Sequence, residues 1–238
     1  MNKLSMMSKI KEVYASGGNI LKYFDELQDC RSAEDIMISY DFQAGTYVER
    51  FHQNEKWSYS RVKRLTDYII DNKISGRILE AGVGEATTLV PLAKELYSAS
   101  NEYYSFDISW SRLKVAKKFI EEQQIQNINL CTGDLLNIPY ADSAFDLVYT
   151  RQAIEPNKNK VKEILQELYR VCGEYLILIE PAYELASPEA QSRMIEYGYV
   201  TNIYETARSL GYNVLQYELY GINANDLNNE QWNFISCK

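Results

Sequence analysis

A pair of glycines between two glutamates is the part of this sequence whose spacing points most directly to chemistry. An apolar run leads into Glu80, Gly82 and Gly84 follow, and Glu85 comes directly after them. Glycines in such a position let the backbone turn sharply and let a ligand approach it closely. The segment therefore predicts a strand, a ligand-binding turn and a helix, in that order.

The charge of this turn indicates which ligand it would bind. In a dinucleotide site a pyrophosphate would lie beside Glu80 and Glu85, and Thr87 stands where the dinucleotide fingerprint has its third glycine. Two like charges about 4 Å apart repel by about 4 kcal/mol at an effective dielectric of about 20. The two carboxylates suit a cationic ligand instead, and S-adenosylmethionine carries a sulfonium and an ammonium as well as an adenosine.

Two further acids follow apolar runs. Asp107 ends one run and Asp134 the next, so that with Glu80 they would stand at three successive strand ends. An acid at the end of the second strand can bind ribose hydroxyls, and Asp134 could accept from the adenine amine. We assign their neighbours Ile108 and Leu135 to the same site. For either aspartate alone, the alternative is a turn or N-cap residue.

The elements that would position these residues form an alternating pattern. Apolar runs predict strands at 77–80, 103–107, 128–132, 145–150 and 175–180, and helical patterns fall at 87–97, 112–124, 159–171 and in one or two segments of 187–210. Such alternation predicts βαβ units and a parallel sheet. The runs 212–220 and 233–237 are joined by a short polar segment, which predicts antiparallel neighbours.

The chain before this pattern has a different character. Residues 58–71 carry apolar side chains at amphipathic helical spacing. We therefore divide the chain into an N-terminal helical cap, 1–72, and an α/β domain, 73–238. An independent N-terminal domain is the alternative, although it would have little core of its own.

Taken together, these motifs resemble those of class I S-adenosylmethionine-dependent methyltransferases. Glu80, Gly82 and Gly84 match the family's E/D-x-G-x-G, while Asp107 and Asp134 match its ribose and adenine acids. The segment 138–148 is similar to its "lPf.d.sFDlV" stretch, and Glu85 departs from a frequent third glycine. The resemblance covers about 76–238 and implies a Rossmann-like sheet, mostly parallel with the last strand antiparallel, that binds S-adenosylmethionine and releases S-adenosylhomocysteine.

The helical cap carries a second resemblance. The segment 38–47 is similar to the "YD..A..Y" stretch that precedes the fold in many small-molecule methyltransferases. It implies that Tyr40 or Tyr47 closes over the methionine carboxylate, because a phenol donates to a carboxylate without adding charge. The alternative is that both tyrosines are core residues.

The predicted catalytic residues are His52 and Glu155. Methyl transfer needs donor and acceptor in line, and a hydroxyl acceptor also needs a base. His52, the one histidine, follows the Tyr47 segment, and Glu155 lies after the fourth strand. A surface position for His52 and a solvated or capping role for Glu155 are the alternatives.

The remaining predicted contacts follow the fourth and fifth strands, whose ends face an acceptor. Arg151 is assigned to the cofactor and could also bind an anionic acceptor. The predicted substrate-binding residues are Gln152, Glu180 and Tyr183. Glu180, like Glu155, could instead be solvated or cap a helix.

Composition limits the partners. The 238 residues contain 25 Lys and Arg against 33 Asp and Glu, a net charge of −8, and the Asn/Asp-Pro-Pro-Tyr/Phe box of nucleobase methyltransferases is missing, which disfavours nucleic acid. Neither clustered metal ligands, a signal peptide nor a membrane span is evident. The four cysteines are too far apart in sequence for a CxxC pair and are expected to be reduced. We expect a cytoplasmic enzyme without a metal.

The acceptor is expected to be a small polar metabolite. The segments 38–47 and 180–185 are loosely similar to those of bacterial methyltransferases that modify surface polysaccharides or their nucleotide-linked precursors. The competing interpretations are a non-catalytic adenosine-binding partner and a nicotinamide-dependent oxidoreductase.

Asp107→Ala tests the cofactor site. It should weaken S-adenosylmethionine binding by about 1–3 kcal/mol, because ribose donors would lose their partner in a buried site. Calorimetric titration measures this loss. Unchanged affinity in a folded variant would remove Asp107 from the site.

Overall fold

The computed structural model describes residues 3–27, 31–96, 100–157, 159–221, 227 and 229–237. Five helices precede the first strand: α1 Lys3–Ala15, α2 Ile20–Asp25, α3 Ala33–Phe42, α4 Thr46–Gln53 and α5 Glu55–Asp71. The later helices are α6 Leu89–Glu95, α7 Trp110–Glu122, α8 Val161–Val171, α9 Pro188–Glu196 and α10 Ile203–Ser209. A short 3-10 helix, Tyr183–Leu185, precedes α9.

One sheet organises the chain. Its strands are β1 Arg77–Ala81, β2 Glu102–Asp107, β3 Ile128–Thr132, β4 Phe145–Arg151, β5 Cys172–Pro181, β6 Asn213–Leu219 and β7 Glu230–Ser236. They lie in the order β3-β2-β1-β4-β5-β7-β6. The first five pair in parallel, and β7 runs antiparallel to both β5 and β6. The predicted fold class is confirmed, with the reversed strand inserted between β5 and β6.

The strand order explains how the site is positioned. β1 is hydrogen-bonded between β2 and β4, so the carboxyl ends of β3, β2, β1 and β4 follow one another along the same edge. A central parallel strand is covered on both faces, which accounts for its apolar run. Ligands of open α/β sheets bind at this edge.

Two predicted boundaries move for local reasons. The helix expected from Thr87 begins at Leu89, because the turn continues through Ala86, whose φ is +61°. β7 begins at Glu230 rather than 233, because its first residues pair with the end of β5. Tyr97, the predicted end of the first of these helices, lies outside the described residues.

The N-terminal helices join the fold in two ways. α5 buries Val62, Leu65 and Ile69, and the last two of these belong to the same core as β1 and β7. α1 and α2 instead form a small cluster of their own with Ile10, Ile20 and Phe24.

The cysteines and the apolar length of the helices are two further features of the fold. Cys131, Cys172 and Cys237 form no disulfide, and Cys30 lies outside the described residues. None of the helices within the described ranges is both long and apolar enough to cross a membrane.

Candidate functional site

Two adjoining cavities open at the carboxyl edge of the sheet. The first is a narrow cleft between β2, β3 and α3, and the second is a wider cavity of about 450 Å³ between the sheet, α4, α5 and α9. That volume suits a small ligand. The residues that line both cavities are Tyr40, Gly82, Arg112 and Gln152.

Most of the predicted site residues line these cavities. Asp107, Ile108, Asp134 and Leu135 border the cleft, where Phe106 adds an apolar wall. The residues that line the wider cavity include Tyr47, Glu80, Gly84, Arg151 and Glu155.

The two aspartates of the cleft accept backbone hydrogen bonds in turns and also line the cleft. Asp107 accepts the N–H groups of Gly84 and Ser109, both at 2.8 Å, and Asp134 accepts that of Leu136 at 2.9 Å. Burial raises the pKa of Asp107, although the Arg112 guanidinium and the two N–H donors act in the opposite direction. These bonds orient the carboxylates and leave lone pairs for ligand hydroxyls or amines.

Glycine is required at two positions for steric reasons. Gly82 has a φ of +78°, and a Cβ atom there would lie 2.4 Å from the Cβ of Ala153. A Cβ on Gly133 would approach the Phe106 ring to 2.9 Å. The first glycine therefore lets the turn pass under the loop after β4, and the second lets β3 approach the wall of the cleft.

Glu85 has a role that differs from the one expected. Its carboxylate accepts three backbone N–H groups at the start of α4, from Gly45 at 2.8 Å, Tyr47 at 3.1 Å and Val48 at 2.8 Å. A helix N-terminus leaves such donors unpaired and favours negative charge. Glu85 thus anchors the helical cap, and its charge is directed at the protein rather than at a cationic ligand.

Arg112 is a site residue that sequence reasoning missed. Its Cζ atom lies 4.6 Å from the ring centre of Tyr40 and 4.4 Å from that of Tyr47, and its Nε lies 3.8 Å from Glu85. Its Nε and Nη2 are buried without a hydrogen-bond partner among the described residues. An arginine on the apolar face of a helix that follows a ligand-binding strand was the available signal.

Asp41 links the cap to α7. Its Oδ1 accepts from the Ser109 hydroxyl and, at 3.1 Å, from the Ser111 N–H. The aspartate of the "YD..A..Y" segment therefore caps α7, while Tyr40 beside it lines both cavities.

Two glutamates of the wider cavity have raised pKa values. Burial raises the pKa of Glu80 to about 8, although the Tyr149 hydroxyl, which donates to it at 2.8 Å, acts in the opposite direction. Burial also raises the pKa of Glu155 to about 7, against the charges of Arg193 and Arg31 and the Tyr199 hydroxyl. Both groups therefore exchange protons near neutrality.

Gln152 has an unusual backbone conformation at the junction of the cavities. Its φ is +52°, in the left-handed region, and its N–H donates to Ile179 at 2.9 Å. Such strained conformations persist where the surroundings impose them, often at functional sites.

Three predicted residues are not brought to the cavities. His52 lies five positions after Tyr47, about 140° around the helix, and its Nε2 lies 3.5 Å from Glu122. Glu180 is fully buried and accepts the N–H groups of Ala153 and Ile154, so it supports the loop after β4. Tyr183 lies in the 3-10 helix outside the lining of both cavities.

The model of the methyltransferase domain family matches residues 72–218, more than half of the chain. The chain belongs to this methyltransferase family. The cofactor predicted from the turn, S-adenosylmethionine, is thereby confirmed.

Individual proteins similar to this methyltransferase domain differ in the molecules that they act on. Demethylmenaquinone methyltransferase of Geobacillus sp. (strain WCH70) is 31% identical over 52% of this chain and 50% of its own. Norajmaline N-methyltransferase of Rauvolfia serpentina is 30% identical over 48% of this chain and 39% of its own. The chain thus spans about half the length of these curated relatives, or less.

A solved structure shows the same fold. Magnesium protoporphyrin IX methyltransferase from Synechocystis PCC 6803, with bound S-adenosylmethionine, superposes with a TM-score of 0.62 at 14% identity. The superposition covers 88% of this chain and 99% of that one.

The residues of this methyltransferase domain fit the cofactor. The cleft with Asp107 and Asp134 suits an adenosine, and Arg112, which lines both cavities, has two buried nitrogens without a hydrogen-bond partner among the described residues. A ligand with a neutral flat base, hydroxyls and an anionic group would satisfy these partners.

Glu85→Gln tests the anchoring of the cap. One amide oxygen would replace two carboxylate oxygens, and the amide NH₂ would face N–H donors, so we expect the free energy of unfolding to fall by about 1–3 kcal/mol. Urea denaturation measures this loss. Glu163→Gln, an exposed change on α8, is the matched control; equal losses in both variants would contradict the anchoring role.

Proposed function

We propose that this protein transfers a methyl group from S-adenosylmethionine to a small, polar, anionic acceptor bound in the wider cavity. The observation that carries the proposal is the excess of positive charge on the wall of that cavity. The narrow cleft would hold the adenosine, and the junction at Tyr40 and Gln152 would hold the reacting centre.

The charge of the wall can be counted. Within the described residues, five arginines line the cavity, namely Arg50, Arg61, Arg112, Arg151 and Arg193, against the four glutamates Glu80, Glu85, Glu155 and Glu230. One positive charge remains if all four glutamates are ionised, and more remains near pH 7 because the pKa values of Glu80 and Glu155 are raised. An anionic acceptor complements such a wall.

The protein's contribution to the reaction is orientation and proton transfer. When bound, S-adenosylmethionine supplies a methyl group activated by its sulfonium. Asp107 and Asp134 would hold the adenosine, and the wider cavity would hold the acceptor in line with the methyl group. In that arrangement the cofactor would supply its methyl carbon to the acceptor's lone pair, and the electron pair of the broken carbon–sulfur bond would remain on sulfur.

Glu155 is the proposed base for a hydroxyl acceptor. It lines the wider cavity directly after the strained Gln152 loop. A carboxylate with a pKa near the working pH can accept the hydroxyl proton during transfer. His52 lacks this position.

The polar wall of the wider cavity favours an anionic acceptor over an apolar one. The name of the Geobacillus relative indicates a quinone acceptor for that enzyme, whereas arginines and glutamates supply much of this wall. Nucleotide-linked sugars, which the sequence loosely suggested, are anionic and meet the charge requirement.

A labelling experiment tests the acceptor class. The protein is incubated with methyl-labelled S-adenosylmethionine and a metabolite extract, which is then separated by anion exchange and by organic extraction. We expect label in the anion-exchange fraction and its loss when excess S-adenosylhomocysteine is added. Label confined to neutral or organic-extractable products would contradict the proposal, and no transfer at all would favour a non-catalytic partner.

Glu155→Gln tests the base. Because the pKa of Glu155 is raised to about 7, its carboxylate fraction grows as the pH rises, so kcat/KM for a hydroxyl acceptor should rise through that range and then level. In the variant, kcat/KM should no longer rise with pH in this range, and kcat should fall by about 10²-fold or more. His52→Ala is the control; loss of the pH dependence in that variant would assign the base to His52.

A further inference from the structure

Three charged groups meet on the side of the wider cavity away from the cleft. Arg151 binds Glu230 through two parallel bonds, from Nε at 3.0 Å and from Nη2 at 2.7 Å. Its remaining nitrogen, Nη1, donates to the carbonyl of Arg61 at 2.9 Å. Arg151 is thus fully engaged, and Glu230 is its counter-ion.

Arg61 is the second cation at the same carboxylate. Its Nη2 donates to Glu230 at 3.2 Å, the same Oε1 that Arg151 contacts. Two guanidinium groups therefore share one carboxylate, and the group of three carries an excess positive charge. Burial, and then the neighbouring charge of Arg151, lower the pKa of Arg61, while Glu230 acts in the opposite direction.

The free donors of Arg61 face the cavity. Its side chain keeps 32% of its surface exposed, and no acceptor in the described part of the chain other than Glu230 contacts its guanidinium. The ring of Trp57 lies under that group, with its centre 4.8 Å from Cζ. Trp57 is itself 52% exposed and lines the same cavity.

We infer that Arg61, oriented by Glu230 and Trp57, binds an oxyanion of the methyl acceptor, a phosphate or a carboxylate. A fixed, planar guanidinium with unused donors recognises such oxyanions through paired hydrogen bonds. The exposed face of Trp57 would pack against the apolar part of the same molecule. This inference rests on the proposed function and specifies how that acceptor is bound.

The cofactor's own carboxylate is the competing source of an oxyanion. Arg112 lines both cavities, whereas Arg61 lines only the wider one. Arg61 therefore lies on the side of the cavity proposed for the acceptor. The experiment below distinguishes binding of the acceptor's oxyanion from binding of the cofactor carboxylate.

The experiment titrates inorganic phosphate, and separately acetate, into the protein loaded with S-adenosylhomocysteine at constant ionic strength. Tryptophan fluorescence reports binding beside Trp57. We expect saturable binding that Arg61→Gln weakens by about ten-fold or more, with a smaller loss in Arg61→Lys. A preference for phosphate or for acetate identifies which oxyanion the acceptor carries.

The controls separate the remaining explanations. Arg208→Gln removes the same charge from an exposed position on α10 and should leave binding unchanged; equal weakening in both variants, or none in Arg61→Gln, overturns the inference. If Arg61→Gln weakens S-adenosylhomocysteine binding but not that of 5′-methylthioadenosine, which lacks the carboxylate, the oxyanion is the cofactor's and the inference also fails. Since no turnover is measured, the result is independent of which acceptor is methylated.

Discussion

The organisation of the site depends on one buried carboxylate. Glu85 lies in the glycine turn after β1 and receives three N–H groups from the first turn of α4. A buried carboxylate needs such donors, and a helix N-terminus supplies them together with a favourable dipole. The same contact holds Tyr47 over Arg112. The glycine turn after β1 and the first turn of α4 are therefore joined by a single electrostatic contact.

The two cavities differ in the charged residues that line them. The cleft has Phe106, Ile108 and Leu135 on its wall and contains aspartates oriented by backbone N–H groups, which suits the proposed adenosine. Within the described residues, the wider cavity is lined by five arginines and four glutamates. Two of these glutamates, Glu80 and Glu155, have raised pKa values. Burial disfavours the ionised form of these two glutamates, so fewer negative charges oppose the arginines. The proposed anionic acceptor and the proposed base, Glu155, both rest on this distribution of charge.

Individual residues show why part of the site followed from the sequence. Asp107 and Asp134 line the cleft because β2 ends at Asp107, Asp134 follows the end of β3 by two residues, and parallel strands bring their carboxyl ends to the same edge of the sheet. His52 and Glu180, which were also predicted to lie in the site, line neither cavity. The helical rotation from Tyr47 directs His52 away from the cavity, and Glu180 turns inward to hold the N–H groups of the loop after β4. Proximity along the chain to a motif does not determine the direction of a side chain.

The sequence by itself determined the alternation of strands and helices, the glycine turn and the acidic strand ends, because these depend on local periodicity and backbone sterics. Only the tertiary structure decided the partners of the charged side chains. Arg61, Arg151 and Glu230 come from α5, β4 and β7, which are far apart in sequence, and they meet because the reversed β7 pairs with β5. Electrostatic energy depends on distance in space and on burial, and neither can be obtained from spacing along the chain.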